Sequence, residues 1–436
     1  MNAPTGPSLQ PGQTFLTVNN RRGTVGQLLG AGGQGECYHV TVDGLPFALK
    51  WYHRHYVEID TGLRGRLERA VRRGAPTNHF LWPFDLVEIA DSGSFGYFMP
   101  LRGHEFVSIR DLIAAPPKRV EIDLGKRAKI CGQLAEGFLE LHAGGFCYQD
   151  INFGNIFFDP ATARILICDN DNVNIDGADA SIYGTRKFMA PEVVRREVLP
   201  NSRTDLYSMS VLFFYTLLGW HPLDGKREHE VTLMDANAEH LLYGAEPLFI
   251  FDPNNDANGP VAGYHDAIVA RWRSLPTTLR NLFTRAFTKG LVDPGARVLE
   301  TQWRTALRRV EGAVHQCDHC GFEHVADLRR GKASARHECL ACGTAMVPPL
   351  FLVGDARAER LAVGDQVRGG AGRVEVHPTR PELIGLRNYS QVNWTAGIPK
   401  AASHEVPPGK TVRLMPGIRI DFGDDVGVVA SAEKMA

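Results

Sequence analysis

Gly30-Ala31-Gly32-Gly33-Gln34-Gly35 is a glycine-rich turn set between two strand-like segments, and twenty residues after Gly30 the apolar run Pro46-Phe47-Ala48-Leu49 ends in Lys50. Without Cβ atoms, such a turn lets backbone N–H groups approach phosphates closely. A tight hairpin would carry the same glycines, so the turn alone decides little. A dinucleotide-binding fold needs a helix after the loop, and here a strand follows. Lys50 reads either as a strand-edge lysine or as a cation on nucleotide phosphates. The chain therefore begins as a strand-rich lobe that carries a candidate phosphate loop.

Beyond that sheet the periodicity changes. Leu63 to Arg73 reads as a helix with Leu63, Leu67, Ala70 and Val71 on one face. Strands are expected at Phe84–Ala90 and Phe95–Pro100. After Arg110, long helices follow at Ile122–Ala143, Thr204–Leu218, Thr277–Thr288 and Gln302–Glu311. From Pro348 onward, short alternating segments broken by Gly and Pro predict an all-β region. A length of 436 residues suits two or three domains at about 150 residues each. Lys plus Arg number 48 against 49 Asp plus Glu, so no global basic field holds nucleic acid or an anionic membrane. The longest strongly apolar stretch, Val211 to Trp220, is too short to span a bilayer. With no signal-peptide pattern, a cytoplasmic location is expected.

The chemistry-bearing residues come in a fixed order. Tyr148-Gln149-Asp150 leads to Asn155 before the apolar triplet Ile156-Phe157-Phe158. An Asp can accept a hydroxyl proton while an Asn and a later Asp hold magnesium. The later Asp is offered by Ile165-Leu166-Ile167-Cys168-Asp169, a buried strand running into acids. Gly184-Thr185 and Met189-Ala190-Pro191-Glu192 follow, then Asp205 opening an apolar helix. Together these motifs resemble the eukaryotic-type protein kinase family, in its bacterial serine/threonine branch, over residues 22–311.

The resemblance implies a multidomain α+β chain with a bilobal kinase fold over 15–311, its N-lobe at 15–102 and its C-lobe at 103–311; residues 1–14, which lack apolar periodicity, are expected to be a disordered tail. It makes Gly30, Gly32 and Gly35 the ATP-covering loop and Lys50 the lysine on the α/β-phosphates, braced by Glu68 as the helix glutamate. Met99, Pro100 and Arg102 become the hinge along the adenine edge. Asp150 becomes the catalytic base, with Asn155 and Asp169 as magnesium (or manganese) ligands. Asp205 would brace the catalytic loop. The implied activity is ATP-dependent phosphorylation of a protein serine or threonine, with a protein as substrate.

Three departures stand against the family pattern. Gln149 replaces the arginine that reads a phosphorylated activation loop. Asp169-Asn170-Asp171 replaces Asp-Phe-Gly and adds a carboxylate near the metal. Asn152 replaces a lysine at the transferring phosphate. These keep a second reading open, a nucleotide-binding pseudokinase scaffold.

Cys317, Cys320, Cys339 and Cys342 form Cys-x2-Cys-x18-Cys-x2-Cys, and four thiolates complete a tetrahedron around structural zinc. Residues 312–347 are therefore expected to form a zinc ribbon, with Gly321 and Gly343 suiting its turns. His315, His319, His324 and His337 are expected to face solvent. The closing segment, 348–430, resembles a forkhead-associated β-sandwich, without that family's phosphopeptide-reading Gly-Arg…Ser-x-x-His pattern. Kinase, ribbon and β-domain in this order are similar to kinases of tellurite-resistance-associated triads. That likeness implies a von Willebrand-type protein and a metal-dependent phosphatase as partners; the short apolar stretches and the lack of a dense basic run argue against a membrane or a nucleic acid.

Overall fold

A computed structural model describes residues 8–89, 92–177, 183–329, 332–347, 349–355, 357–399 and 402–434. The chain opens with six strands: β1 (Thr14–Thr17), β2 (Arg22–Ala31), β3 (Gly35–Val42), β4 (Leu45–Tyr52), β5 (Asp85–Glu88) and β6 (Phe95–Pro100). They close into an antiparallel barrel in the order β1-β2-β3-β4-β6-β5. Alternation along β2–β4 sends Val25, Tyr38, Val40, Leu49 and Trp51 into one apolar cluster with Val87 and Phe98. A Cβ on Gly35 would lie 2.2 Å from the Trp51 carbonyl oxygen. Glycine is therefore required where β3 meets β4, apart from any part in phosphate binding.

Residues 8–13 were expected in a loose tail and are instead packed. Leu9 is buried in the same cluster. The backbone N–H of Ser8 donates to the Glu36 carboxylate at 2.8 Å, and that of Leu9 donates to the Tyr38 hydroxyl at 3.0 Å. The buried Glu36–Tyr38 pair needs polar partners, and this strip supplies them. The rest of the expected tail, 1–7, lies outside the described residues.

Two helices follow β4, α1 (Arg54–Ile59) and α2 (Leu63–Arg73). α2 has the bounds that its periodicity predicts and buries Leu63, Leu67 and Ala70 of the expected face, while Val71 is only half-buried and Arg66 is buried beside them. The chain forms two compact units, one of residues 1–120, 133–212 and 233–247, the other of 121–132, 213–232 and 248–436. The first unit contains the barrel, α1, α2 and the antiparallel pair Ile156–Phe158 and Ile165–Ile167, which hold the loops bearing Asp150 and Asp169.

The second unit has an aromatic core in which Phe283 lies edge-on to Phe214 at 5.2 Å and against Trp303 at 4.7 Å. Its C-terminal region contains an eight-stranded and a four-stranded sheet. Leu352, Trp394, Ile420 and Val429 from the first join Val374 and Leu386 from the second in one buried cluster. One strand pairing reaches across the boundary expected at 347/348. The hairpin Asp327–Arg329/Lys332–Ala335 adds to the larger sheet by parallel pairing of Ala333 with Ala432. The closing strand, Val426–Lys434, runs past 430. A short hairpin cannot bury its own apolar face, and joining an existing sheet edge covers Leu328, Ala333 and Ala335.

Candidate active site and cysteine cluster

Lys50 sits on β4, where strand alternation turns its side chain into the unit's interior. Its Nζ is 2.8 Å from Asp171 Oδ2, 3.3 Å from Asp169 Oδ1 and 2.9 Å from Gln34 Oε1. Gln34 belongs to the glycine-rich turn, and its Nε2 donates to the Tyr56 hydroxyl at 3.0 Å. The turn is thus drawn down onto the lysine. A Cβ at Gly30 or Gly32 would meet nothing within 4 Å, so open space surrounds these positions.

Burial alone would pull the Lys50 ammonium down, but Asp171 and Asp169 beside it hold it above the ordinary lysine value. Burial pushes the Asp171 carboxyl up. Lys50 and the Tyr52 hydroxyl, 2.5 Å from Oδ2, outweigh it and hold the group below its usual range. Asp169, whose side chain is 44% exposed, is shifted upward by burial and by the Asp171 charge, against the pull of Lys50. Its backbone is left-handed, with φ of 50°.

Asp205 fixes the loop that carries Asp150. Its carboxylate accepts from the backbone N–H of Tyr148 at 2.5 Å and of Gln149 at 3.0 Å, as the resemblance implies. Gln149 has φ of 72°. Asp150 Oδ1 accepts from the Thr185 hydroxyl at 2.7 Å. Asn155 is buried, and its Nδ2 donates to the Asp150 carbonyl at 2.9 Å. That leaves the amide oxygen as the end able to meet a cation. Asn152 ties the same loop, donating to the Asp150 carbonyl at 3.1 Å and accepting from the Gly154 N–H at 2.7 Å.

Glu68 is the site residue the structure does not bring to Lys50. It pairs with Arg64 at 3.0 Å on an exposed face of α2. Sequence distance from Lys50 pointed to it, but the i,i+4 arginine captures it. Asp171 takes the place beside Lys50, and its signal was in view as the carboxylate replacing glycine after Asp169-Asn170. Gln34, Tyr52 and Asn170 were also missed. At the expected hinge, Met99 is buried and Pro100 ends β6. The Arg102 guanidinium donates to the Phe106 carbonyl at 2.6 Å and lies over the Phe157 ring at 4.1 Å.

This arrangement belongs to a known family. Residues 24–262, more than half of the chain, match the protein kinase domain, and the chain belongs to that family. Its relatives include the serine/threonine-protein kinase pkn2 of Myxococcus xanthus, 29% identical over 230 residues, which cover 49% of this chain and 26% of that protein. CBL-interacting protein kinase 4 of Oryza sativa subsp. japonica is 28% identical over 162 residues, 33% of this chain and 34% of its own length. Protein kinase MCK1 of Saccharomyces cerevisiae is 27% identical over 132 residues, 30% and 34% of the two chains. The chain therefore spans only a quarter to a third of these relatives.

In the second unit, the sulfurs of Cys317, Cys320, Cys339 and Cys342 all lie within 4.8 Å of one another. Cys317 and Cys342 are 3.8 Å apart and Cys320 and Cys339 3.6 Å. A zinc tetrahedron with 2.3 Å bonds has sulfur–sulfur edges of about 3.8 Å, so the four thiols fit that ion. Both knuckles close alike: Gly321 N–H donates to the Cys317 carbonyl at 2.8 Å and Gly343 N–H to that of Cys339 at 2.9 Å. Both glycines have positive φ, 72° and 71°, as their turns require. His315 and His324, expected to face solvent, are buried. His324 Nε2 lies 3.5 Å from the Cys339 sulfur, where a ring N–H can support a thiolate.

Proposed function

We propose that this chain is an ATP- and magnesium-dependent protein serine/threonine kinase, with structural zinc at its four paired cysteines. The observation that carries the reading is Asp150, held on a loop pinned by Asp205, with its carboxylate bonded to the hydroxyl of Thr185. A group oriented to accept from one hydroxyl is suited to accept from a substrate hydroxyl. In the transfer, the substrate oxygen would form a bond to the γ-phosphorus as the bond to the β-bridging oxygen breaks, and the proton would pass to Asp150. Lys50 would hold the α/β-phosphates. Asn155 and Asp169 would hold magnesium, whose charge offsets that of the phosphates.

The zinc ribbon and the C-terminal sheets, the latter read as a forkhead-associated-like sandwich, would serve partner contact. The partners proposed from the likeness in domain order are a von Willebrand-type protein and a metal-dependent phosphatase. No helix among the described residues is long and apolar enough to cross a membrane, which supports a cytoplasmic setting.

The pseudokinase reading rests on the three departures, Gln149, Asn152 and the Asn170-Asp171 pair that follows Asp169. Incubation with γ-labelled ATP and a general protein acceptor, followed by phosphoamino-acid analysis, separates the two. Label on serine or threonine supports the kinase. ATP binding without transfer to any protein supports the scaffold.

A further inference from the structure

We propose that Asp171 is the positioning residue for Lys50, taking the part that a helix glutamate would otherwise play. The inference rests on reading Lys50 as the phosphate-binding lysine. Every acid on or beside the two helices after β4 is committed elsewhere. Glu58 pairs with Arg54 at 2.9 Å, and Glu68 with Arg64. Asp60 forms a buried two-pronged pair with Arg66 at 3.0 and 2.5 Å. A buried ammonium needs an anion within contact, and Asp171, its side chain 1% exposed, supplies one at 2.8 Å.

The carboxylate is itself held. The Tyr52 hydroxyl, two residues along β4 from the lysine, donates to the same oxygen. Asn170 anchors the segment, its Nδ2 donating to the Leu81 carbonyl at 2.8 Å and the Ile167 carbonyl at 3.0 Å. The other oxygen, Asp171 Oδ1, is buried and has no partner among the described residues. One carboxylate oxygen is thus devoted to Lys50 and Tyr52. Because Asp171 shares a three-residue segment with Asp169, the lysine is aligned by the acidic segment and not by the placement of α2.

A double-mutant cycle on the full chain tests this, read as the dissociation constant for Mg-ADP and, where transfer occurs, as kcat/KM for ATP. Asp171→Asn should weaken both by about tenfold, and this loss should shrink to about twofold or less in a Lys50→Met background. A merely structural effect would persist when the lysine is gone, and that result would overturn the proposal. Tyr52→Phe should give a smaller loss that also vanishes with Lys50→Met, and it decides the matter if Asp171→Asn does not fold. Coupling of Glu68→Gln to Lys50 as large as that of Asp171 would likewise overturn it. Coupling in Mg-ADP binding without any phosphate transfer would uphold the positioning role while removing the kinase reading. Transfer without coupling would do the reverse. A wild-type chain that binds no Mg-ADP would sink both.

Discussion

Glu36 and Tyr38 show how single residues set the chain's response to acid. Burial works against the charge on Glu36, but the Tyr38 hydroxyl and the Ser8 N–H hold its carboxyl below the ordinary value of 4.5. A carboxyl depressed in the folded state is protonated more readily in the unfolded one. Its contribution is present above 4.5 and lost as pH falls below that value. Urea midpoints at about pH 4 should therefore fall relative to about pH 7, and Glu36→Gln should narrow the difference; an unchanged gap would contradict the assignment. Leu9→Ala removes a buried side chain and should cost about 2–5 kcal/mol in urea unfolding, whereas a loose tail would give no change. Lys50, Asp150, Asn155 and Asp169 were singled out by spacing, and the structure sets Lys50 beside Asp169 and Asn155 beside Asp150. Glu68 was singled out the same way and is not beside Lys50, because spacing says nothing of which neighbouring cation captures a carboxylate. Leu9 was missed because a lone apolar residue among Gly and Pro has no periodicity.

At the level of elements, α2 and β6 were legible to the residue: α2 has a clean helical period closed by Gly74, and β6 is a short aromatic-rich run ending at Pro100. The Cys-x2-Cys knuckles were also plain, glycines included. The hairpin between them was not, because its pairing partner lies about a hundred residues away in sequence. That pairing changes what metal removal should do. Chelation, or Cys339→Ser, should strip amide-exchange protection from the knuckle turns at 317–321 and 339–343. The strands Asp327–Arg329 and Lys332–Ala335 should keep their protection through the closing strand. Elemental analysis should find about one zinc per chain. Loss of protection throughout 314–346 would show the ribbon folding alone, and no metal in chelator-free protein would overturn the zinc assignment. In the loop before Ala190-Pro191-Glu192, Tyr183 and Thr185 offer hydroxyls, and Ser181 lies outside the described residues. Gln149 cannot present a cationic fork to a phosphate there. Phosphatase-treated protein should keep most of its activity, and a loss of about tenfold or more would contradict that.

For the whole molecule, the order of motifs carried the family, because no single motif was specific and their sequence was. Pairing across a change of composition was the least legible feature: Ala333 joins Ala432 in one sheet, and composition does not mark such a pairing. The central claim is that Asp150 acts as a base on a substrate hydroxyl while Lys50 and Asp169 hold the nucleotide. It is tested most directly by transfer from labelled ATP in the unmodified protein and in Asp150→Asn, with Mg-ATP affinity measured alongside. The account predicts transfer reduced about 10²- to 10⁴-fold with affinity largely kept. Equal transfer in the two proteins, or none in either, would contradict it.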